Sequence, residues 1–323
     1  MKKLVVPDIG FDVKTVFTIG TFDGIHRGHQ EILHEVRRIA DEKHLRSVLL
    51  SFNPHPRQVL GMNGQRVFLL STIDERKEIV RSLGIDMFAT IPFTRDVSLL
   101  EAEEFFELLV HQCVGAAHIV VGFDHKFGRG RRGDIDLLKR LAAKENIELT
   151  VVPPLLDQGK IISSTRIRKS LMEGDIEAAN RMLGYPYRFS GLVQRGDERG
   201  ATLGFPTANL VLDSPLKLLP RRGVYAVLVE WKGHPYLGVM NIGVRPTFGA
   251  LTAVTVEVHI LDFDQNIYGS QLRVHVLKRL RDEIKFESIQ DLVAQVERDI
   301  DQVRHLAEII NVQKILTTHS MQE

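Results

Sequence analysis

The order of elements predicts an α/β chain in two parts: a parallel sheet with covering helices, then an antiparallel β-module closed by a long helix. Three observations carry this. Up to about residue 183, apolar runs that read as strands alternate with stretches at helical spacing, the succession that builds a parallel sheet covered on both faces. After Gly184-Tyr185-Pro186-Tyr187 the alternation stops, and short apolar runs follow one another between Gly, Asp and Pro, which predicts a barrel or a sandwich. Finally, Ile289, Leu292, Val293, Val296, Ile300, Val303, Leu306 and Ile310 form a helical stripe that packs on that module or, alternatively, receives a partner. The change of character puts the domain boundary near residue 185, giving domains 1–184 and 185–323. Two domains also suit a chain of 323 residues.

Composition narrows the function classes. A net charge of +1 supplies no overall field for nucleic acid or membrane, so the basic clusters Arg129–Arg132 and Arg166–Lys169 act locally. No uninterrupted apolar stretch reaches the roughly 18 residues of a membrane span. No apolar h-region follows Met1-Lys2-Lys3, so a cytoplasmic protein is expected. The single cysteine, Cys113, excludes an intrachain disulfide and fits a reducing compartment. It lies in a helical apolar pattern and reads as a small buried hydrophobe.

In the first half, Val13 to Ile19 reads as a buried strand and His29 to Lys43 as a helix on Ile32, Leu33, Val36, Ile39 and Ala40. Further strands are read at Ser47–Phe52, Met87–Ile91, His118–Val121 and Leu149–Val152. Thr72 with Glu75 opens one helix as a capping box, and Ser98 with Glu101 is read as a second box before Phe105, Leu108 and Leu109. Gly133 to Lys144 is helical on Ile135, Leu138, Leu141 and Ala142. Two short helices, Arg166–Glu173 and Asp175–Leu183, complete this half.

Ligands of such a sheet collect beyond the carboxyl ends of its strands, and the chemistry-bearing segments fall there. The first strand leads into Gly20-Thr21-Phe22-Asp23-Gly24-Ile25-His26-Arg27-Gly28-His29, a glycine turn into a helix N-terminus. Its unpaired N–H groups and dipole seat phosphate, and its imidazoles can donate hydrogen bonds. The second strand ends in Phe52-Asn53-Pro54-His55-Pro56, the fourth in the loop Gly122 to Gly133. The fifth leads to Ser163-Ser164-Thr165-Arg166-Ile167-Arg168, a second phosphate seat facing the first. Taken singly these are ordinary turns, caps and solvated loops; four at one sheet edge point to a site.

Together these segments resemble the adenylyltransferase module of bacterial bifunctional riboflavin kinase/FAD synthetases, which belong to the His-x-Gly-His nucleotidylyltransferases. The resemblance implies a Rossmann-like domain in which Gly20, Phe22, Asp23, His26, Gly28 and His29 bind ATP, with His26 and His29 catalytic. It implies that Ser164, Thr165 and Arg168 close over the triphosphate, and that Pro54, His55, Asp124 and Phe127 shape the flavin side. The chain departs at His125, where the family usually has an aromatic residue.

In the second half, Gly200-Ala201-Thr202-Leu203-Gly204-Phe205-Pro206-Thr207-Ala208-Asn209 places a hydroxyl and an amide two residues apart, on one face if extended. Such neutral oxygens suit a nucleotide-bound magnesium that keeps most of its water. Strands are read at Phe189–Gln194, Val224–Glu230, Tyr236–Asn241, Val254–Leu261 and Leu272–Val276, with Glu257 on the face opposite Val256 and Val258. This half resembles the riboflavin kinase module of the same family. The matches are Gly204 to Asn209, Gly223-Val224-Tyr225-Ala226, Asn241-Ile242-Gly243 with Pro246-Thr247, Val256-Glu257-Val258-His259, Tyr268-Gly269 and Arg279 to Glu283. Ala201 stands where many members carry a polar residue, and the tail Asn311 to Glu323 matches nothing.

The resemblance implies an antiparallel β-barrel kinase domain in which Gly204, Phe205, Pro206, Thr207 and Asn209 bind ATP and Mg2+, with Thr207 and Asn209 as metal ligands and Glu257 as general base. The implied activity is ATP-dependent phosphorylation of riboflavin to FMN, then adenylylation of FMN to FAD with release of pyrophosphate. The partners are small molecules (riboflavin, FMN, ATP), with no nucleic acid and no membrane. A nucleotidylyltransferase for another phosphate, with a non-catalytic barrel, is the rival the first half leaves open; the set Thr207, Asn209 and Glu257 argues against it. A nucleic-acid-binding protein is opposed by the near-zero net charge and the 7% aromatic content available for base stacking.

Overall fold

A strand covered on both faces must be apolar on both, and β1 (Thr15–Ile19) is buried along its whole length. In this computed structural model, which describes residues 13–61, 67–196, 200, 203–246 and 252–309, the chain forms two compact units, 1–163 and 164–323. Ala201, Thr202, Thr247, Ile310, the N-terminal residues 1–8 and the tail 311–323 lie outside the described residues.

In the first unit, α1 (Arg27–Lys43) follows β1 and returns the chain to β2 (Arg46–Asn53). The helices α2 (Pro56–Leu60) and α3 (Ile73–Ser82) lead to β3 (Met87–Pro92). Next come α4 (Arg95–Ser98), α5 (Ala102–Gln112) and β4 (Ala116–Gly122), then α6 (Ile135–Lys144) and β5 (Glu148–Val152). A short hairpin of β6 (Leu156–Asp157) and β7 (Lys160–Ile161) completes it. The five long strands are parallel, in the order β3-β2-β1-β4-β5. The chain steps outward from β1 through β2 to β3, then restarts on the other side of β1 with β4. That reversal opens a crevice at the carboxyl ends of β1 and β4. One face of the sheet packs Phe17, Ile19, Leu50 and Val121 against Phe105, Leu109 and the buried Cys113.

The cap of α3 is as expected: Glu75 N–H donates to Thr72 Oγ1 at 3.2 Å and Thr72 N–H to Glu75 Oε2 at 2.9 Å. The expected box at Ser98 and Glu101 is corrected. Ser98 ends the separate turn α4, its hydroxyl donating to Arg95 O at 2.6 Å. Glu101 is itself the N-cap of α5, and its N–H donates to Glu104 Oε2 at 2.9 Å.

The second unit begins with α7 (Ser164–Glu173) and α8 (Ile176–Leu183). Six antiparallel strands follow: β8 (Tyr187–Gln194), β9 (Ala208–Leu212), β10 (Gly223–Trp231), β11 (His234–Pro246), β12 (Thr252–Ile260) and β13 (Gln271–Arg281). They close in the order β10-β11-β12-β9-β8-β13, a barrel and not a sandwich. The division between units falls ahead of the change in composition at residue 185 because α8 is fastened to the barrel. Asn180 Nδ2 donates to Val276 O at 2.9 Å, and Asn180 Oδ1 accepts from Tyr187 N–H at 2.7 Å.

The last helix, α9 (Ile289–Ile309), lays Ile300, Val303 and Leu306 on Val224, Ala226, Leu228 and Val239, so its stripe packs on the barrel. Asp299, 1% exposed, is matched there by Arg281, whose Nε and Nη2 donate to Asp299 Oδ2 at 3.0 and 2.7 Å. A bidentate pair of this kind tolerates burial because both charges keep hydrogen-bond partners.

Candidate active sites

In the first unit the site is built on the turn from β1 into α1. His26 is the N-cap of α1 and its Nδ1 accepts from His29 N–H at 3.3 Å. Accepting on Nδ1 puts the ring proton on Nε2 whenever the imidazole is neutral. His29 stacks on His26 with centroids 3.7 Å apart and rests against Phe22 at 4.7 Å. Burial, then the neighbouring charges of His26 and Arg76, hold the His29 pKa well below its ordinary value, so the ring is neutral near pH 7. Its Nδ1 is buried without a hydrogen-bond partner among the described residues. The first-turn N–H groups of Arg27 and Gly28 have no acceptor within the helix. Orphan donors of this kind at a helix N-terminus fit an anionic ligand.

The turn is strained and its surroundings hold it so. Phe22 and Ile25 have φ of 45° and 30°, a region that side-chain-bearing residues avoid. Asp23, 1% exposed, accepts from Leu70 N–H and Ser71 N–H, both at 3.0 Å. Ser71 Oγ accepts from Gly24 N–H at 2.7 Å. Arg76, 2% exposed, donates from Nη1 to Thr21 O and Ser51 Oγ, both at 2.8 Å. The entry to α3 thus clamps the phosphate turn, a role for Ser71 and Arg76 that no local pattern signals.

Several residues expected to face ligand are engaged with the protein here. Asp23 pins the turn, and Phe22 is buried beneath His29. His55 caps α2, its Nδ1 accepting from Arg57 N–H at 3.1 Å and its N–H donating to Gln58 Oε1 at 3.0 Å. Phe127 is buried in the core, and Gly128 beside it lies so close to α5 that a Cβ would come 2.5 Å from Ala102 Cα. His125 stacks on Phe127 at 5.8 Å, with its pKa pushed down to about 4 by burial and by the charge of Arg131. Pro54 and Asp124 are exposed at the ends of β2 and β4. Ser164, Thr165 and Arg168 lie in the first turns of α7, whose Ile167 and Leu171 are buried.

In the second unit the site is a row across the barrel wall. Asn209 on β9 pairs directly with Glu257 on β12, and Glu257 with Asn241 on β11. Directly paired residues share a face, with about 5 Å between neighbours. Ala208, Val256, Val258, Met240 and Ile242 fill the inside, so the polar row lies on the outside, where alternation puts Glu257. Leading into β9, Gly204 has φ of 85° and Pro206 O is held by His259 Nδ1 at 2.9 Å. Thr207 is half-buried beside a cleft of about 340 Å³, walled by Val193, Ala208, Val258 and Ile260 and flanked by Phe263 to Tyr268. Such a volume accepts a small ligand.

Gly196 is a residue the sequence reading passed over. A Cβ there would collide with the amide of Asn209. Gly196→Ala is therefore expected to displace that amide from the row it forms with Glu257.

Residues 9–166 match the family model for FAD synthetase, and residues 183–307 that for riboflavin kinase. A phosphate-seating turn at the switch point of a parallel sheet and a carboxylate–amide row on a closed barrel, so matched, define an ATP-using transferase with two catalytic units. Among its relatives, the bifunctional riboflavin kinase/FMN adenylyltransferase of Listeria monocytogenes is 36% identical over 91% of this chain and 92% of its own length. That of Bacillus subtilis is 37% identical over 88% and 90%, and that of Escherichia coli K12 35% over 88% and 90%. A crystal structure from Streptococcus pneumoniae, solved under the name macrolide-efflux protein, is 34% identical and covers 94% of this chain and 96% of its own, with a TM-score of 0.84. No helix among the described residues is long and apolar enough to cross a membrane. The chain belongs to the bifunctional riboflavin kinase/FMN adenylyltransferase family, which uses ATP to make FMN from riboflavin and FAD from FMN.

Proposed function

We propose that residues 1–184 carry FMN adenylylation and residues 185–323 riboflavin phosphorylation, each on its own set of side chains. The observation that carries this reading is the direct pairing of Asn209 with Glu257, 48 positions apart, in a domain that lacks the His26/His29 turn.

In the kinase half Glu257 is the general base: it takes the proton of the ribityl hydroxyl as that oxygen attacks the γ-phosphorus of ATP, whose bond to the bridging oxygen breaks to release ADP. This needs Glu257 within about 3 Å of the hydroxyl, directly or through one water. The turn Gly204, Phe205, Pro206 and Thr207, which leads into Asn209, receives the nucleotide. Thr207 and Asn209 fit magnesium: they offer neutral oxygens, and Gly196 leaves the space in which the Asn209 amide sits. When bound, the ion neutralises phosphate charge.

In the other half the phosphate of FMN attacks the α-phosphorus of ATP and pyrophosphate leaves. A phosphate monoester is already anionic at neutral pH, so the step needs no protein base. It needs donors and cations around the five-coordinate phosphorus. His26, His29, the α1 N-terminus and Gly28 supply the donors. Gly20, Phe22 and Asp23 hold the turn in shape; Pro54, His55, Asp124 and Phe127 form the flavin side. The same reading makes the enzyme cytoplasmic, with ATP and riboflavin as its small-molecule partners.

The test is complementation. A His29→Ala protein and a Glu257→Gln protein, each unable to make FAD from riboflavin, should make it when mixed, because FMN released by one feeds the other. Chromatography of the flavins reads the outcome, and a mixture that still makes no FAD contradicts separate sites.

A further inference from the structure

Asn241 lies one strand beyond Glu257 in the polar row, and nothing in the reading above uses it. Its Nδ2 donates to Glu283 Oε1 at 3.4 Å. The opposite orientation of the amide would set its carbonyl against that carboxylate, acceptor against acceptor, so Glu283 fixes which atom faces away. Gly243 leaves the space for this, since a Cβ there would collide with Glu283 Oε1. The atom left over, Asn241 Oδ1, is buried and has no hydrogen-bond partner among the described residues. Native proteins leave few such groups, and each calls for an explanation.

We propose that Asn241 Oδ1 accepts a hydrogen bond from the flavin's ribityl 4′-hydroxyl while the neighbouring 5′-hydroxyl faces Glu257, making Asn241 a specificity-determining residue of the kinase site. The inference rests on Glu257 being the base. Asn241 and Glu257 are facing residues on adjacent strands, about 5 Å apart at their Cα atoms. Converging side chains at that spacing suit two vicinal hydroxyls of one polyol. A site built to bond a hydroxyl discriminates against an analogue lacking it, because the buried acceptor then stays unpaired. The ligand thus supplies the donor that the free protein lacks, and Glu283 keeps the acceptor turned towards it.

The experiment measures kcat and KM for riboflavin and for 4′-deoxyriboflavin with the full chain, its Asn241→Leu variant and its Glu257→Gln variant. The wild type should prefer riboflavin at least about tenfold in kcat/KM. Asn241→Leu should lose that preference, through a raised KM for riboflavin, while a thermal unfolding profile like the wild type's reports that the barrel is folded. A wild type that treats both flavins alike overturns the proposal without any variant. So does an Asn241→Leu protein that slows both flavins equally and keeps the preference. A Glu257→Gln protein that still forms FMN at the wild-type rate overturns instead the assignment of the base, whatever the flavin preference.

Discussion

A chain carrying His29→Ala turns riboflavin into FMN and stops there. The imidazole it loses is stacked at 3.7 Å on His26, the N-cap of α1. Removing one preorganised donor from a developing anionic phosphorus costs about 3 kcal/mol, a hundredfold or more in rate. FAD formation from supplied FMN should fall by that factor while riboflavin phosphorylation holds. Loss of both steps in a folded variant would contradict the assignment. The pH dependence gives a second readout. His29 titrates near 6.5 in the unfolded chain and lower in the folded one, so between those values the unfolded state binds more protons. The His29 contribution therefore lowers stability as pH falls through that window. In His29→Ala that share vanishes, and the drop in Tm between about pH 7.5 and about pH 5.5 should be smaller than in the wild type.

Local signals gave most of the first unit. Its strands and helices alternate, and Thr72 with Glu75 announces α3 within four residues. Because the sheet is parallel, the carboxyl ends of its strands collect the motifs at one edge without any knowledge of contacts. Local pattern failed where a residue's role depends on a distant partner. The resemblance assigns Asp23 to ATP, and no local pattern shows that Leu70 and Ser71, almost 50 positions later, donate to its carboxylate. Ser98 offers a hydroxyl three residues ahead of Glu101, the spacing of a capping box, but a short preceding turn claims it.

The second unit was harder because antiparallel pairing is non-local. Strand β9 lies in a stretch that reads as a turn, since Gly204 and Pro206 precede it and its apolar run is short. Without β9, alternation alone does not separate a barrel from a sandwich. The strand closes the wall between β8 and β12, and only then does Asn209 stand beside Glu257. The roles of Asn241, Gly196 and Glu283 follow from register and close approach, neither of which is written in periodicity. The resemblance implied the site residues; the register shows that residues so far apart in the chain stand side by side.

Glu257→Gln should remove riboflavin phosphorylation and leave FMN adenylylation intact. The amide keeps the shape of the carboxylate and its place between Asn209 and Asn241, so the row survives and only the proton acceptor is lost. General-base assistance contributes on the order of 10²–10⁴ in rate, and kcat for FMN formation should fall within that range. KM for ATP should move little, because Thr207 and Asn209 are untouched. Asn209→Ala should also stop FMN formation, but through the nucleotide: it removes a neutral oxygen proposed for the magnesium-bound phosphates, so KM for ATP rises with the loss. Steady-state assays with riboflavin and ATP varied in turn distinguish the two patterns. Equal losses in kcat and no change in either KM for both variants would mean that Asn209 and Glu257 share one role, and the division between base and metal ligand would have to be abandoned.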